Sequence, residues 1–218
     1  MAIVVRRSNL LVPITNSRFV QGAWRHNADA VTLDLEDSVV DATKEEARRK
    51  VKDAIGLVGK GAAEVFVRVN KPFAHSDIEA SVRPGLAGIV LPRVDSPDDV
   101  AEASEFLGMM EQRRGIEKGV LQMILLLESA SALWHIREII TADPRVTQVS
   151  LDESDLSASL GISPLPDEEN AVSWTWCAFA MAFPPCLSRK RPFHGLGSRS
   201  RWPFPPACRG KGRLMDLV

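Results

Sequence analysis

Up to about residue 170 the chain alternates two hydrophobic patterns. Short continuous apolar runs lie at residues 10–12, 30–35, 64–69, 88–91, 121–127 and 146–151, and each predicts a strand. The runs GIVL and MILLL carry no polar alternation, as expected of parallel strands buried on both faces. Between the runs, apolar positions recur with a helical period. Residues 43–58 place Ala47, Val51, Ala54 and Val58 on one helix face. Thr43-Lys44-Glu45-Glu46 has the form of a capping box, in which the Thr hydroxyl accepts from the third amide and Glu46 reaches back. Ser96-Pro97-Asp98-Asp99 opens another helix, with Ser96 at the N-cap, proline at the first helical position and acids on the positive end of the dipole. That helix buries Val100, Ala103, Leu107 and Met110. Residues 18–27 and 130–141 predict further helices, and 154–160 begin the next.

Strands starting near 10, 30, 64, 88, 121 and 147 give six βα units. Their spacing is that of a TIM (β/α)8 barrel, whose eight units take about 250 residues. The predicted fold class is therefore α/β, a (β/α)8-type barrel that is incomplete, since the patterned region stops two strands short of closure. In such a barrel the active site lies at the C-terminal rim of the strands.

Composition changes this picture at one point, near residue 171. Residues 1–170 hold 19 Lys+Arg against 27 Asp+Glu, a net of −8, while residues 171–218 hold 8 basic residues against one acid, a net of +7. Cys177, Cys186 and Cys208 all lie in this second part, and it shows no period of either kind. Pro184-Pro185 and Pro205-Pro206 would interrupt any helix or central strand. The expected organisation is a partial (β/α) barrel over 1–170 and an irregular basic Pro/Arg/Trp-rich tail over 171–218. Out-of-frame translation of a GC-rich gene is the favoured account of the tail, with a basic interaction tail or an irregular subdomain as alternatives. Over the whole chain the net charge is −1, which gives no pull toward nucleic acid. No apolar run nears the roughly 20 residues needed to cross a membrane. Three cysteines without zinc spacing or an even count suggest a reducing cytoplasm.

The candidate chemistry sits at predicted strand ends. Glu128 and Asp155 each follow an apolar run, and acids at successive strand ends of one sheet can hold a divalent metal beside a substrate. LDLEDSV ends an earlier run in the same way, at Asp34, Glu36 and Asp37. Phe66, Arg68 and Asn70 share one face of their strand. A guanidinium there can hold a carboxylate through two parallel hydrogen bonds, or pair with Glu36 or Asp37.

RRSNLLVPITNSRF at 6–19, ADAVTLDLEDSV at 28–39, VFVRVN at 65–70, GIVLPRVDSPDDV at 88–100, ILLLESASAL at 124–133 and VSLDESDLSASLG at 149–161 resemble, in order, the HpcH/HpaI aldolase and citrate lyase β-subunit family. That family includes citryl-, malyl- and citramalyl-CoA lyases. The resemblance implies a (β/α)8 barrel that uses Mg2+, with Mn2+ as a substitute, to break or form C–C bonds beside a carbonyl. It implies Glu128 and Asp155 as metal ligands and Arg68 as the holder of the substrate carboxylate. Glu36 and Asp37 would orient Arg68 and accept hydrogen bonds from metal-bound water. Arg18 resembles a position near the phosphates of CoA, which enters as part of the substrate. The implied partners are a small acyl-CoA or oxo acid, and a homo-oligomer, trimeric or hexameric.

The expected reaction is cleavage of a hydroxyacyl-CoA thioester into an acyl-CoA and an oxo acid, with little or no turnover expected of this chain as written. The alternatives are a CoA-independent class II aldolase acting on a 4-hydroxy-2-oxo acid, and an inactive truncated paralogue. The sequence departs from the family at Asp152, where a glycine is common, and at Arg93 and Asp95, which replace a frequent Lys and Glu. The family's last strands, glycine-rich CoA segment and C-terminal lid have no recognisable counterpart in 171–218.

Overall fold

The computed structural model describes residues 6–161. The tail boundary and the late cysteines lie outside the described residues. The strands β1 (Asn9–Pro13), β2 (Ala30–Asp34), β3 (Glu64–Arg68), β4 (Gly88–Leu91), β5 (Gln122–Leu127) and β6 (Val146–Leu151) form one sheet in sequential order. Every neighbouring pair is parallel. Helices α1 (Ser17–Gly22), α2 (Lys44–Val58), α3 (Ala74–Ser81), α4 (Pro97–Arg113), α5 (Ala130–Trp134), α6 (Ile136–Thr141) and α7 (Glu153–Ser159) fill the crossovers and follow β6. Among the described residues this is the predicted α/β arrangement of six βα units. None of these helices is long and apolar enough to cross a membrane.

The sheet has two unlike faces because residues of odd and even number alternate across it. Val31, Leu33, Val65, Val67, Ile89, Leu91, Met123, Leu125 and Leu127 join the buried faces of the helices in the main core. The opposite face carries a smaller cluster of Ala30, Phe66, Val90 and Ile124. Arg6 lies across the N-terminal end of this inner face. Its guanidinium donates to Glu64 at 2.6 and 2.9 Å and to Gln122 at 2.5 Å, and it reaches Thr147 at 3.5 Å. The same group lies 4.8 Å from the centre of the Phe66 ring. One side chain ahead of β1 thus touches β3, β5 and β6, which requires a strongly curled sheet.

Several local expectations need correction. Thr43 makes no capping bond to α2, and its hydroxyl donates instead to Val40 O at 3.1 Å. A capping box forms at α4, where Ser96 accepts from the Asp99 amide and Asp99 from the Ser96 amide. The predicted helix over 18–27 is α1 followed by a 3-10 turn that ends at Asn27, in the left-handed region at φ 51. The predicted helix over 130–141 breaks at His135, whose φ −101 and ψ 13 leave the helical range. Helix α3 escapes the periodicity test because its buried side is mostly polar, with Asp77 and Ser81 beside Ile78.

Gly88 is required by close approach. A Cβ there would lie 2.1 Å from Gln122 O, a backbone atom of the paired strand that has nowhere to move. Gly88→Ala is expected to destabilise the fold by about 1–3 kcal/mol, the usual cost of overpacking. A denaturant midpoint unchanged by the substitution would show that β4 and β5 do not pack this tightly.

Candidate active site

At the C-terminal ends of β2 and β3, register places Asp34 beside Arg68. Arg68 donates from Nε to Asp34 Oδ1 at 2.7 Å and from Nη2 to Oδ2 at 2.8 Å. Asp34 is fully buried, and its carboxylate also accepts from the amides of Glu36 at 2.9 Å and Ser38 at 3.1 Å. Burial works to raise the Asp34 carboxyl, but the Arg68 and Ser38 hydrogen bonds outweigh it and hold the group below its ordinary range. The remaining Arg68 nitrogen, Nη1, lies 3.3 Å from Glu36 and 3.1 Å from Asp37. Arg68 is therefore committed first to Asp34, with Glu36 and Asp37 beyond it at the mouth. Its bidentate edge is already in use inside the protein.

The turn carrying Glu36 is held from behind. Lys44, buried at the start of α2, donates from Nζ to Leu35 O at 3.2 Å, to Glu36 O at 3.0 Å and to Asn70 Oδ1 at 2.5 Å. Asn70 Nδ2 donates to Leu35 O and to Asp77, and Asp77 also accepts from Arg48 Nε at 2.6 Å. These contacts satisfy the carbonyls where β2 ends and leave the Glu36 and Asp37 side chains facing the rim.

On the next strands, Arg93, Asp95, Glu128, Ser129 and Asp155 line a cleft of about 190 Å3. Glu128 follows β5 directly and is buried. Ser129 caps α5 through the Ala132 amide while its hydroxyl donates to Asp95. Asp155 stands in the first turn of α7, whose N-cap is Asp152. Asp152 accepts from the Ser154 and Asp155 amides, so the residue that replaces a common glycine orients the turn bearing Asp155. Glu36 and Glu128 are both pushed up to about 7. Burial is the main cause for each; Asp37 and Glu128 add repulsion at Glu36, and Asp152 and Asp155 add it at Glu128. The structure thus brings Arg68, Glu36 and Asp37 together, and Glu128 with Asp155, with Arg93 between the groups at 3.6 Å from Glu36 and 3.7 Å from Glu128. Arg18 is elsewhere, in a cleft of about 370 Å3 lined with Phe19, Gln21, Gly22, Arg25 and His26, which shares no residue with the acid cleft.

This donor set fits a divalent cation. Asp95, Glu128 and Asp155 line one small cleft, where Asp95 already accepts from Ser129; burial, with repulsion from Asp152 and Asp155, raises the Glu128 carboxyl, and the remaining places on a six-coordinate ion stay open to water or substrate oxygens. Among the described residues no group of three or more His, Cys, Asp or Glu is assembled for metal binding, so the protein alone would not saturate the ion.

A sequential parallel sheet with helical crossovers and charged side chains at its C-terminal rim is the arrangement of (β/α)-barrel enzymes as a class. Within that class the chain belongs to the HpcH/HpaI aldolase/citrate lyase family, whose sequence pattern matches residues 7–182. The match continues past residue 170. Citrate lyase subunit beta of Leuconostoc mesenteroides subsp. cremoris is 32% identical over 171 residues, covering 77% of this chain and 57% of that protein. L-malyl-CoA/beta-methylmalyl-CoA lyase of Rhodobacter capsulatus is 29% identical over 165 residues, covering 73% of this chain and 52% of that protein. A solved citrate lyase beta subunit from M. tuberculosis, complexed with oxaloacetate and magnesium, superposes with a TM-score of 0.58 at 26% identity, covering 80% of this chain and 74% of that chain. The chain spans about half the length of the curated relatives it matches.

The raised carboxyls fix a sign for pH dependence. Between their ordinary value of 4.5 and about 7, Glu36 and Glu128 hold more protons in the folded than in the unfolded chain. Stability must therefore fall as pH rises through that window. The lowered Asp34 acts in the opposite sense, but only near and below 3.8. In chelator, the melting temperature is expected to fall between pH 4.5 and about 7, and Glu128→Gln to flatten the fall. A level or rising melting temperature across this window would show that both carboxyls are ionised there.

Proposed function

We propose that the chain is a Mg2+-dependent carbon–carbon lyase that cleaves a hydroxyacyl-CoA thioester into an acyl-CoA and an oxo acid. The observation that carries this reading is the pairing of Glu128 and Asp155 in one cleft beside the Arg68, Glu36 and Asp37 group. Family membership supports the reaction class, and the named relatives are a citrate lyase subunit and a malyl-CoA lyase. Glu128 and Asp155 would hold the metal, which when bound supplies Lewis-acid polarisation of a carbonyl.

The residues of this chain then have separate tasks. Arg68 takes the carboxylate of the oxo-acid half through Nη1, the edge not given to Asp34. Binding there displaces the weaker contacts to Glu36 and Asp37 and leaves the Asp34 pair intact. Glu36, with its carboxyl near 7, can hold or release a proton at working pH, as an acid–base group requires. Asp37, more exposed, accepts hydrogen bonds from water at the mouth. Lys44 and Asn70 keep the carbonyls behind Glu36 fixed, so that proton stays at one position. Arg18, with Arg25 in the same cleft, supplies positive charge suited to the CoA phosphates. We assign the assembly to a homo-oligomer on family resemblance.

Glu128→Ala should abolish saturable Mg2+ or Mn2+ binding in calorimetry, because a lone carboxylate cannot anchor an ion that keeps most of its water. Release of an acyl-CoA and an oxo acid from citramalyl-, malyl- or citryl-CoA is the activity to assay. Unchanged metal affinity in a folded Glu128→Ala protein would remove Glu128 from the site. Pyruvate release from a 4-hydroxy-2-oxo acid without CoA would replace the thioester reading with the aldolase one.

A further inference from the structure

Arg68 and Arg93 face the same acids in different ways. Arg68 is buried and makes bonds of 2.7 and 2.8 Å to Asp34. Arg93 is 55% exposed, and its contacts to Glu36, Glu128 and Asp37 measure 3.6, 3.7 and 4.0 Å, all beyond hydrogen-bond length. The first arginine is a fixed tie, while the second is a hydrated cation held by field alone. Arg93 also has φ 52, in the left-handed region that disfavours a long side chain and suits glycine or asparagine. Asn27 is the other described non-glycine residue with positive φ, and it ends a helical turn, where such a residue is usual. Arg93 ends no helix; its carbonyl accepts from Lys71 Nζ at 2.7 Å and its amide donates to Glu128, so its backbone is held at the rim. It directly follows Pro92 after β4 and stands in the lining of the cleft that holds Glu128 and Asp155.

We infer that Arg93 is the resident counter-ion of the acid rim, occupying the carboxylates until a divalent cation displaces it and so setting the affinity of the site for that cation. The inference rests on the metal-dependent lyase reading. Its physical basis is competition. Glu128 cannot offer the same oxygen to the guanidinium and to an incoming ion, so whatever Arg93 gains at the rim is subtracted from metal binding. The +1 charge of the guanidinium also repels an approaching dication across a few ångströms of half-exposed protein. Contacts this long and this exposed are replaceable, unlike those of Arg68. After exchange, Arg93 stands at the cleft edge with its planar donor face free for an anionic substrate.

The test is calorimetric titration of the metal-stripped full chain with Mg2+. Arg93→Gly and Arg93→Asn both tolerate positive φ and both remove the charge. Each is expected to bind Mg2+ about three- to tenfold more tightly than the parent, while Arg93→Lys, which keeps the charge, stays within about twofold. Circular dichroism melts confirm that each variant is folded. Glu128→Gln separates the two levels of the argument. If the parent binds Mg2+ saturably, Glu128→Gln loses that binding and both neutral Arg93 variants bind no more tightly than the parent, the counter-ion role is overturned and the lyase reading stands. If the parent shows no saturable site, both are overturned.

Discussion

The buried pair between Asp34 and Arg68 is the contact on which the rest of the rim depends. A fully buried carboxylate that accepts from a guanidinium and two backbone amides fixes the ends of β2 and β3 relative to each other. Removing either partner would strand a charge in a dry interior, a loss on the order of 3–5 kcal/mol. That cost makes the pair a framework element first. The same pair sets where Nη1 of Arg68 points and keeps Glu36 close enough for its charge to be felt. Geometry and electrostatics at this mouth therefore have one origin, and an Arg68 substitution perturbs both together.

Charge is distributed unevenly around that pair. Asp34 receives enough donors to stay ionised when dry, while Glu36 and Glu128 do not and are pushed up to about 7. The cause is the supply of donors rather than depth alone, since all three are buried. Away from the rim, Glu111 shows the satisfied case again: it takes both Arg145 nitrogens at 2.8 and 2.7 Å and the amides of Gly119 and Leu121. Such a group holds a fold together and has nothing left to give a ligand. The under-satisfied acids at the strand ends are the ones with chemical potential to spare.

Much of this was legible in the residues. Continuous apolar runs predict parallel strands because nothing else buries both faces, and all six lie within a residue or two of the observed ones. Alternation puts Arg68 on the same face as Phe66, which the structure shows to be the inner one, and the acids after β2 and β5 follow from strand ends alone. The pairing of Arg68 with Asp34 was not legible, because register is a relation between strands and no single strand encodes it. Glu36 and Asp37 seemed the natural partners; they lie nearer the mouth and come second. Helix α3 was missed because its buried side faces a polar network instead of the apolar core, so a hydrophobic period had nothing to detect. Arg93 was visible only as a departure from the family pattern. Its positive φ and its place between Glu36 and Glu128 are features that a sequence does not print.

Arg6 carries an implication for how the chain is assembled. It precedes β1, yet its partners Glu64, Gln122 and Thr147 lie 58, 116 and 141 positions later. Contacts of such separation slow folding, because the loop entropy is lost before the contact forms. Glu64 and Phe66, both in β3, can engage the guanidinium first, and its set of partners is complete only once β5 and β6 are in place. The base of this sheet is thus sealed by a residue ahead of its first strand, and the curl of the sheet is complete only when that residue meets the sixth strand.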